Sequence, residues 1–496
     1  MSEAIAGVTF TLPPVKIRQA AVVLVYRRIA GSKVELFWLK REKTLKFAGG
    51  YFAFPGGKAD AADESLVVTA ARELFEETGL LVAQGAEKLS QVTLNELRLA
   101  LEEETMSFYD LLKRHSLTIR AEDFHETGRW LTPDFMPIRF DARMYLVEAP
   151  ANQLAEVWPG ELSEGSWQLP AVALRQWEEG TALLHPPTLH ALRVMERFST
   201  VETAIAELSN PPDVEDCVGR RVEFQRGIQV VPLKTATLPP ATHTNCYLLG
   251  TRELVIVDPG ASDAAELEYL KARLTERQRE GCTLKAILAT HHHGDHIGGL
   301  EALAKELSLP VWSHPQTAIW LPVTSTRLLS DGDVIELQGE PVMQFDVLHT
   351  PGHARGHLCL IERRSKAAIV GDMVAGIGTI VIDPPQGDMG VYLQQLTRLK
   401  NHVGALYPSH GPIIADGVTK LDEYLAHRAW RESKVIEALR KTGRPTSLDD
   451  LVPLVYDDVA SFIWPLAERN TAAILDKLIN ERRVRPSESL YSLDGD

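Results

Sequence analysis

Cysteine is scarce: four in 496 residues, Cys217, Cys246, Cys282 and Cys359, with no CxxC pair among them. That spacing excludes a disulfide framework and an all-cysteine zinc site, and it suits a reducing compartment, so a cytoplasmic location is expected. Long hydrophobic runs are missing as well. The apolar stretch AAVVLV at 20–25 is too short for a membrane span or a signal core and reads as a buried strand, and no membrane partner is expected. Basic charge is not in excess: 52 Lys plus Arg face 67 Asp plus Glu, for a net charge of −15. Phosphate backbones and anionic lipids both attract cations, so this balance argues against a non-specific binder of either. There is also no repeat at a fixed period and no low-complexity tract.

What is present is an ordinary globular composition, 45% hydrophobic and 24% charged, which excludes wholesale disorder. At roughly 100–200 residues per domain the chain holds three or so domains. Twelve of the 16 histidines lie at or after His243, which suggests two chemistries. The polar, Pro-Pro-containing stretch SNPPDVEDCVGRR (209–221) lacks periodicity and marks a boundary. Before it, RQAAVVLVYRR (18–28) and VELFWL (34–39) read as strands joined by a turn at Gly31-Ser32, and Asp63 to Thr78 as a helix capped by Asp63 and ended by Gly79. After it, ELVIVDPG, KAILATHHH, FDVLHTPGH and KAAIVGD read as strands that deliver metal-capable residues from one end into a shared cleft. Beyond about residue 430 short helical segments follow, with a last strand near 484–492.

Within the first helix Glu73, Glu76 and Glu77 stand at i, i+3 and i+4, on one face about one turn long. Three like charges so close repel, and a divalent cation with hard oxygen ligands, Mg²⁺ or Mn²⁺, is the usual reason to tolerate them. The wider pattern, Gly57, Glu64, Arg72-Glu73-Leu74, Glu76-Glu77 and Gly79-Leu80, resembles the Nudix hydrolase box, with six residues between Gly57 and Glu64 where the box has five. The resemblance implies that the three glutamates bind metal, that Arg72 orients them with support from Glu64, and that a diphosphate linked to another moiety is hydrolysed. Upstream, Arg41, Lys46, Gly50 and Phe54-Pro55-Gly56-Gly57 are similar to the signature of coenzyme A diphosphatases, although Lys46 stands where that signature has arginine. RWLTPDFMPIRFDARMYL and LLHPPTLHALRVMERF resemble the peroxisomal-type branch. Coenzyme A or acyl-CoA is the substrate this implies, contacted by Arg41, Lys46, Gly56 and Gly57. Residues 11–50 carry a net charge of +7, which suits a substrate with several phosphates.

The second half contains THHHGDHIGG, in which His291, His293, Asp295 and His296 fit HxHxDH. With His353 in HTPGHARGH, Asp372 in IVGDMV and His410 in YPSHGP, the pattern resembles metallo-β-lactamase fold hydrolases. That resemblance implies one metal on His291, His293 and His353, a second on Asp295, His296 and His410, and Asp372 between them, with Asp295 also orienting the nucleophile. Two Zn²⁺ suit imidazole with a few carboxylates, with iron or manganese as alternatives. TNCYLLG, VDPG and KLDEYLAHRAWRESKV bring the likeness closest to the lactamase-β-like 2 type, a subgroup with single-stranded endoribonuclease members and a winged-helix-like end. His427 and Arg428 are candidate substrate contacts.

The expected fold is multi-domain α/β: a Nudix α/β/α sandwich at 15–205, a linker at 206–225, a metallo-β-lactamase αββα sandwich at 226–428 and a winged-helix-like appendage at 429–496. The expected function is bifunctional metal-dependent hydrolysis, a diphosphate in the first half and a thioester or related ester in the second. Two alternatives stay open, an endoribonuclease second half and a nucleotide-sensing first half. A nucleic-acid partner is disfavoured because the appendage sums to −2 and carries one basic run, RRVR at 482–485. Oligomeric state is not legible.

Overall fold

The computed structural model describes residues 15–30, 33–45, 48–212, 214–261 and 263–494; the turn expected at Gly31-Ser32 lies outside them. The chain divides into two compact units, one ending at Gln229 and the other starting at Val230. Among the described residues no helix is long and apolar enough to cross a membrane.

The first unit is built on β1 (Ile17–Ile29), which pairs antiparallel with β2 (Lys33–Arg41) and also takes β4 (Gly56–Lys58); β3 (Phe52–Ala53) lies at the far edge of β2. Beyond β1 come β6 (Arg139–Glu148) and β5 (His125–Leu131), while β7 (Leu162–Gln168) adds to β2. β1 runs parallel to β6 from Ile17↔Arg139 to Tyr26↔Glu148. Its unbroken apolar run follows from burial on both faces. Ala21, Val23 and Val25 meet Ala71, Leu74 and Phe75 of α1 (Leu66–Thr78), whereas Leu24 and Tyr26 meet the side formed by Pro170–Glu179, Pro186–Glu196 and Val201–Leu208. Alternate residues of a strand point to opposite faces, so these five residues serve two cores and the unit is an α/β/α sandwich.

α1 starts three residues later than the sequence predicts. Ser65 is the cap, its hydroxyl accepting from Val68 N–H, while Gly79 closes the helix with φ 75°. Asp63 is drawn off by stronger donors: its carboxylate accepts from Arg72 Nη2 at 2.9 Å and from Thr69 Oγ1 at 2.9 Å. A guanidinium outcompetes a backbone amide for a carboxylate because the bond is charge-assisted in both partners. The stretch read as a linker is also structured, with a hairpin of Val214–Glu215 and Val218–Gly219 followed by the strand Val222–Gln225.

The second unit is an αββα sandwich. One sheet takes Ile228–Lys234, His243–Leu249, Glu253–Val257, Thr283–Leu288, Val311–Ser313 and Arg327–Leu328 in that order, and the other Val334–Leu337, Met343–His349, Leu358–Glu362, Ala368–Gly371 and Leu406–Pro408. The helix Ala264–Arg279 seals the first sheet through Leu270 and Leu274, and Met389–Leu399 the second through Tyr392 and Leu396. Bonds such as Asn245 N–H to Ser409 O, 2.7 Å, and Leu358 N–H to Thr290 O, 2.9 Å, tie the two sheets. A 26-residue helix, Gly417–Thr442, passes without a break through residues 428 and 429. It joins Leu421 and Tyr424 to Val435 and Leu439 in one core with the winged helix, which adds Leu448–Val455, Trp464–Asn480 and the hairpin Val484–Ser487/Leu490–Leu493. Two strands close the chain where one was expected.

Leu74 is wholly buried between α1 and the sheet. Leu74→Ala is expected to cost the first unit about 2–5 kcal/mol, read as a lower urea midpoint for that unit's unfolding.

Candidate metal centres

The carboxylate face of α1 is assembled around one guanidinium. Arg72 donates from Nη1 to Glu73 Oε1 at 2.9 Å and to Glu76 Oε2 at 3.0 Å, and from Nε to Asp63 Oδ1 at 3.1 Å. Its Nη2 also reaches the Lys58 carbonyl at 3.1 Å. Glu77 turns to the loop, where Oε2 accepts from Gly56 N–H at 2.8 Å. The Gly56-Gly57 pair is dictated by approach. A Cβ on Gly56 would lie 2.3 Å from the Ala21 carbonyl, and one on Gly57 2.5 Å from the Glu73 carboxylate.

Burial pushes the Glu73 carboxyl up to about 7, against the pull of Arg72. Burial, with the Glu73 charge beside it, pushes Glu77 up to about 8. Burial would raise Asp63 too, but its bonds from Arg72, the Asp60 amide and Thr69 hold it below the usual carboxylate range. One arginine thus pairs with three carboxylates while a fourth, Glu77, stands beside them, and the shortfall of positive charge together with an all-oxygen donor set fits a hard divalent cation. Arg41 lies where its charge acts on Glu77, fixed by backbone bonds to Tyr51 and Gly50. Glu64 is exposed, and Lys46 lies outside the described residues. Sequence reasoning missed Asp63 as the partner of Arg72, and also His185, which stacks on Tyr51 with ring centroids 4.6 Å apart and is held neutral by burial and the Arg41 charge, which push it down to about 4.

In the second unit His291 Nε2 and His353 Nε2 stand 3.1 and 2.9 Å from His293 Nδ1. Two nitrogens bound to one tetrahedral zinc are roughly 3.3 Å apart, so the three rings converge on a single point as metal ligands do. Asp295, His296 and His410 form the neighbouring cluster. Asp372 turns one oxygen to each: Oδ1 lies 3.6 Å from His296 Nε2 and 3.4 Å from His410 Nε2, and Oδ2 lies 3.6 Å from His353 Nε2. Burial would depress His410, but Asp372 and Asp295 push it up to about 9. Those carboxylates call for positive charge, which a proton or a metal supplies. His291 is driven well below its ordinary value by burial and by the neighbouring imidazoles, which leaves a neutral ligand nitrogen.

The far nitrogen is occupied in four of the rings. His353 Nδ1–H donates to Val381 O at 2.9 Å and His410 Nδ1–H to His243 O at 3.1 Å; His296 Nδ1–H donates to Asp258 Oδ2 at 3.0 Å; His291 Nδ1 meets Thr290 Oγ1 at 3.0 Å. A donor proton on Nδ1 leaves the Nε2 lone pair for a metal. Asp258 also accepts from Thr290 N–H at 2.7 Å and Oγ1–H at 2.6 Å, and Gly260 follows it because a Cβ there would lie 1.7 Å from the Asp295 carbonyl. His357 Nε2 accepts the Asp372 amide at 3.0 Å while its Nδ1 meets Thr350 Oγ1 at 2.9 Å. Asp258 and His357 were not assigned roles from sequence, although VDPG and the third histidine of HTPGHARGH were the signals.

Arg428 is turned into the domain. It donates to Ile380 O, and to Thr379 Oγ1 at 3.3 Å and Asn470 Oδ1 at 3.4 Å, while Asn470 Oδ1 accepts Ile382 N–H at 2.9 Å. The segment 379–382, whose Val381 carbonyl orients His353, is therefore braced by the long helix and by the winged helix. His427 is exposed, with its ring centroid 5.7 Å from that of Trp430.

Set beside known proteins, residues 239–410 match the metallo-beta-lactamase superfamily, 16–149 the NUDIX domain and 447–492 the beta-lactamase associated winged helix domain. The chain belongs to the metallo-beta-lactamase superfamily, carries its associated winged helix and is fused to a NUDIX domain, and it is a hydrolase with candidate divalent-metal sites. Among its relatives, the beta-lactamase-like protein 2 homolog of Caenorhabditis elegans is 30% identical over 244 residues, which span 48% of this chain and 79% of that protein. Lactamase-like protein adaB of Aspergillus niger is 33% identical over 258 residues, 49% of this chain and 76% of that protein. An atrochrysone carboxyl ACP thioesterase of Aspergillus chevalieri is 31% identical over 252 residues, 49% and 77%. Of solved structures, a metallo-beta-lactamase family protein from Thermus thermophilus aligns at 23% identity and TM-score 0.45 over 54% of this chain and 98% of its own. A NUDIX hydrolase from Alicyclobacillus acidocaldarius aligns at 28% and 0.36 over 40% and 99%.

Replacing Asp258 with Asn keeps the shape but removes the charge that orients His296. Asp258→Asn is expected to weaken metal binding in the second unit about 10–100-fold, measured by competition with a chelator.

Proposed function

We propose that the protein is a bifunctional hydrolase, with a Mg²⁺- or Mn²⁺-dependent first half that cleaves the diphosphate of coenzyme A or acyl-CoA and a second half that hydrolyses a thioester. The observation that carries this reading is the double set of buried or partly buried ligand groups, most of them oriented by their own hydrogen bonds. In the first half Glu73, Glu76 and Glu77 would hold the cation, with Arg72 fixing their orientation. Arg41, and by resemblance Lys46, Gly56 and Gly57, would receive the phosphates. In the second half His291, His293 and His353, with Asp295, His296 and His410 across Asp372, would hold two Zn²⁺, or iron or manganese. Bound cations supply Lewis-acid polarisation and lower the pKa of an attacking water. Asp295 would orient that water, and the bonds on Nδ1 of His291, His296, His353 and His410 leave Nε2 of each ring facing the metal.

A thioester is favoured over RNA for two reasons. The second half aligns with proteins named as thioesterases. Two of the three arginines in the appendage's basic run are also engaged internally, since Arg483 pairs with Glu432 at 2.6 Å and Arg485 pairs with Asp494. Arginines held by carboxylates offer little to a phosphate backbone. The four cysteines are free thiols, which supports a reducing, cytoplasmic setting.

With acyl-CoA and Mg²⁺, mass spectrometry is expected to find 3′,5′-ADP and acyl-phosphopantetheine. Glu77→Gln should remove both products while thioester cleavage continues; their absence in the wild type would overturn the coenzyme A assignment. For the second half, Asp295→Ala is expected to abolish thioester cleavage. Loss of single-stranded RNA cleavage in that variant, with thioesters untouched in the wild type, would replace the thioester reading with a ribonuclease.

A further inference from the structure

Solvent reaches the first histidine cluster at His293. Of the three rings that converge there, His291 and His353 are buried and His293 is half-exposed. From His293 the ring contacts continue outward. The His292 ring lies 5.0 Å from that of His293, and the Trp320 ring stacks on His292 at 5.3 Å with 22° between the planes. Trp320 is 46% exposed and its neighbour Ile319 76%. A large aliphatic and an indole side chain open to water at the rim of a catalytic opening are costly unless something apolar covers them.

The segment that carries them is rigid. The helix Pro315–Ala318 is capped by His314, whose Nδ1 accepts Gln316 N–H at 3.2 Å. Thr317 Oγ1 donates to Gly356 O at 2.9 Å, and a Cβ on Gly356 would lie 2.5 Å from Thr317 N. Gly356 belongs to the loop that bears His353, so the apolar rim is fixed to a ligand loop and keeps its place relative to the site. Its chemistry is equally one-sided. From Pro315 to Thr326 the chain holds no Lys, Arg, Asp or Glu. A nucleic-acid strand lying there would meet no cation for its phosphates, whereas a hydrocarbon chain needs none.

We propose that Ile319 and Trp320 form an apolar lip that receives the acyl chain of the substrate as its carbonyl enters the histidine site, so that the lip sets acyl-chain preference. This rests on the thioester reading and gives it a substrate class, acyl groups long enough to reach from the ligand histidines past His292 to Trp320. Trp320 and Ile319 are specificity determinants and take no part in bond breaking.

The test uses the full-length protein, Trp320→Ala and Ile319→Gln, with acetyl, hexanoyl and decanoyl pantetheine thioesters, which contain no diphosphate for the first half to cut. Wild-type kcat/KM is expected to rise with chain length, by up to about fourfold per buried methylene. Both variants should flatten that rise while acetyl turnover stays within about twofold. An unchanged slope, or an equal fall on acetyl, overturns the proposal. Ile319→Gln alters a side chain that packs little, so it decides the matter if Trp320→Ala fails to fold. Binding of the non-hydrolysable decyl-pantetheine thioether, measured by calorimetry, separates the lip from the catalytic reading. If the wild type cleaves no thioester, the proposed function fails, yet a loss of about tenfold in thioether affinity in the variants still supports the lip. Equal affinity overturns it. So does weakened binding of a single-stranded RNA oligonucleotide with the thioether unaffected, which would make Trp320 a base-stacking platform.

Discussion

The histidine site depends on the hydrogen bonds that His291, His296, His353 and His410 make with the nitrogen not facing the site. A buried imidazole can ligate only as a neutral ring with its lone pair on the correct atom, and only a donor bond on the other nitrogen specifies that atom. Two of those bonds end on backbone carbonyls, Val381 and His243, and one on the Asp258 carboxylate. The carbonyls in turn must not move. That requirement explains why Arg428 and Asn470, which belong to the long helix and the winged helix, are spent on residues 379–382. The winged helix is therefore part of the site's support whatever else it binds.

The carboxylate helix solves the opposite problem. Its donors are unambiguous oxygens, and the difficulty is mutual repulsion in a buried place. Arg72 relieves part of it, and Asp63 keeps Arg72 from swinging toward any single glutamate by gripping it with both carboxylate oxygens. Bidentate pairing fixes the plane of a guanidinium as well as its position. The residual excess of negative charge is what a divalent cation would neutralise. Arginine at one site and hydrogen-bonded carbonyls at the other do the same work, holding ligand atoms in place before a metal arrives.

Much of this was legible in the sequence because metal ligands are local. HxHxDH places four candidate ligands within six residues, and i, i+3, i+4 places three glutamates on one turn. Supporting contacts are not local. Asp258 and His296 are 38 residues apart, Ile382 and Asn470 are 88 apart, and nothing in the spacing of either pair announces the bond. Arg428 illustrates the failure: an arginine beside a histidine in a motif-bearing helix reads as a substrate contact, and the fold turns it inward onto the backbone. Asp63 failed for a nearer reason, since a capping residue was chosen by type while the arginine nine positions on competed for it. The α/β/α and αββα layers were readable from the strands because burial on both faces leaves unbroken apolar runs, as in AAVVLV.

Net charge alone does not decide how a small phosphorylated compound would fare at the sites. The total is −15, and the arginines nearest the sites do not offset it. Arg72 is committed to four acceptor groups, Arg428 to the interior, and Arg431 to Asp458 and the Val455 carbonyl. What remains is local: the +7 of residues 11–50, with Arg41 beside Glu77, and whatever cations the carboxylates and imidazoles hold. Attraction falls off within about 10 Å at moderate ionic strength, so a phosphate close to the site responds to this local field far more than to the total. A bound metal would then contribute to capturing an anionic substrate as well as to cleaving it, because it would supply charge that the side chains have already spent on one another.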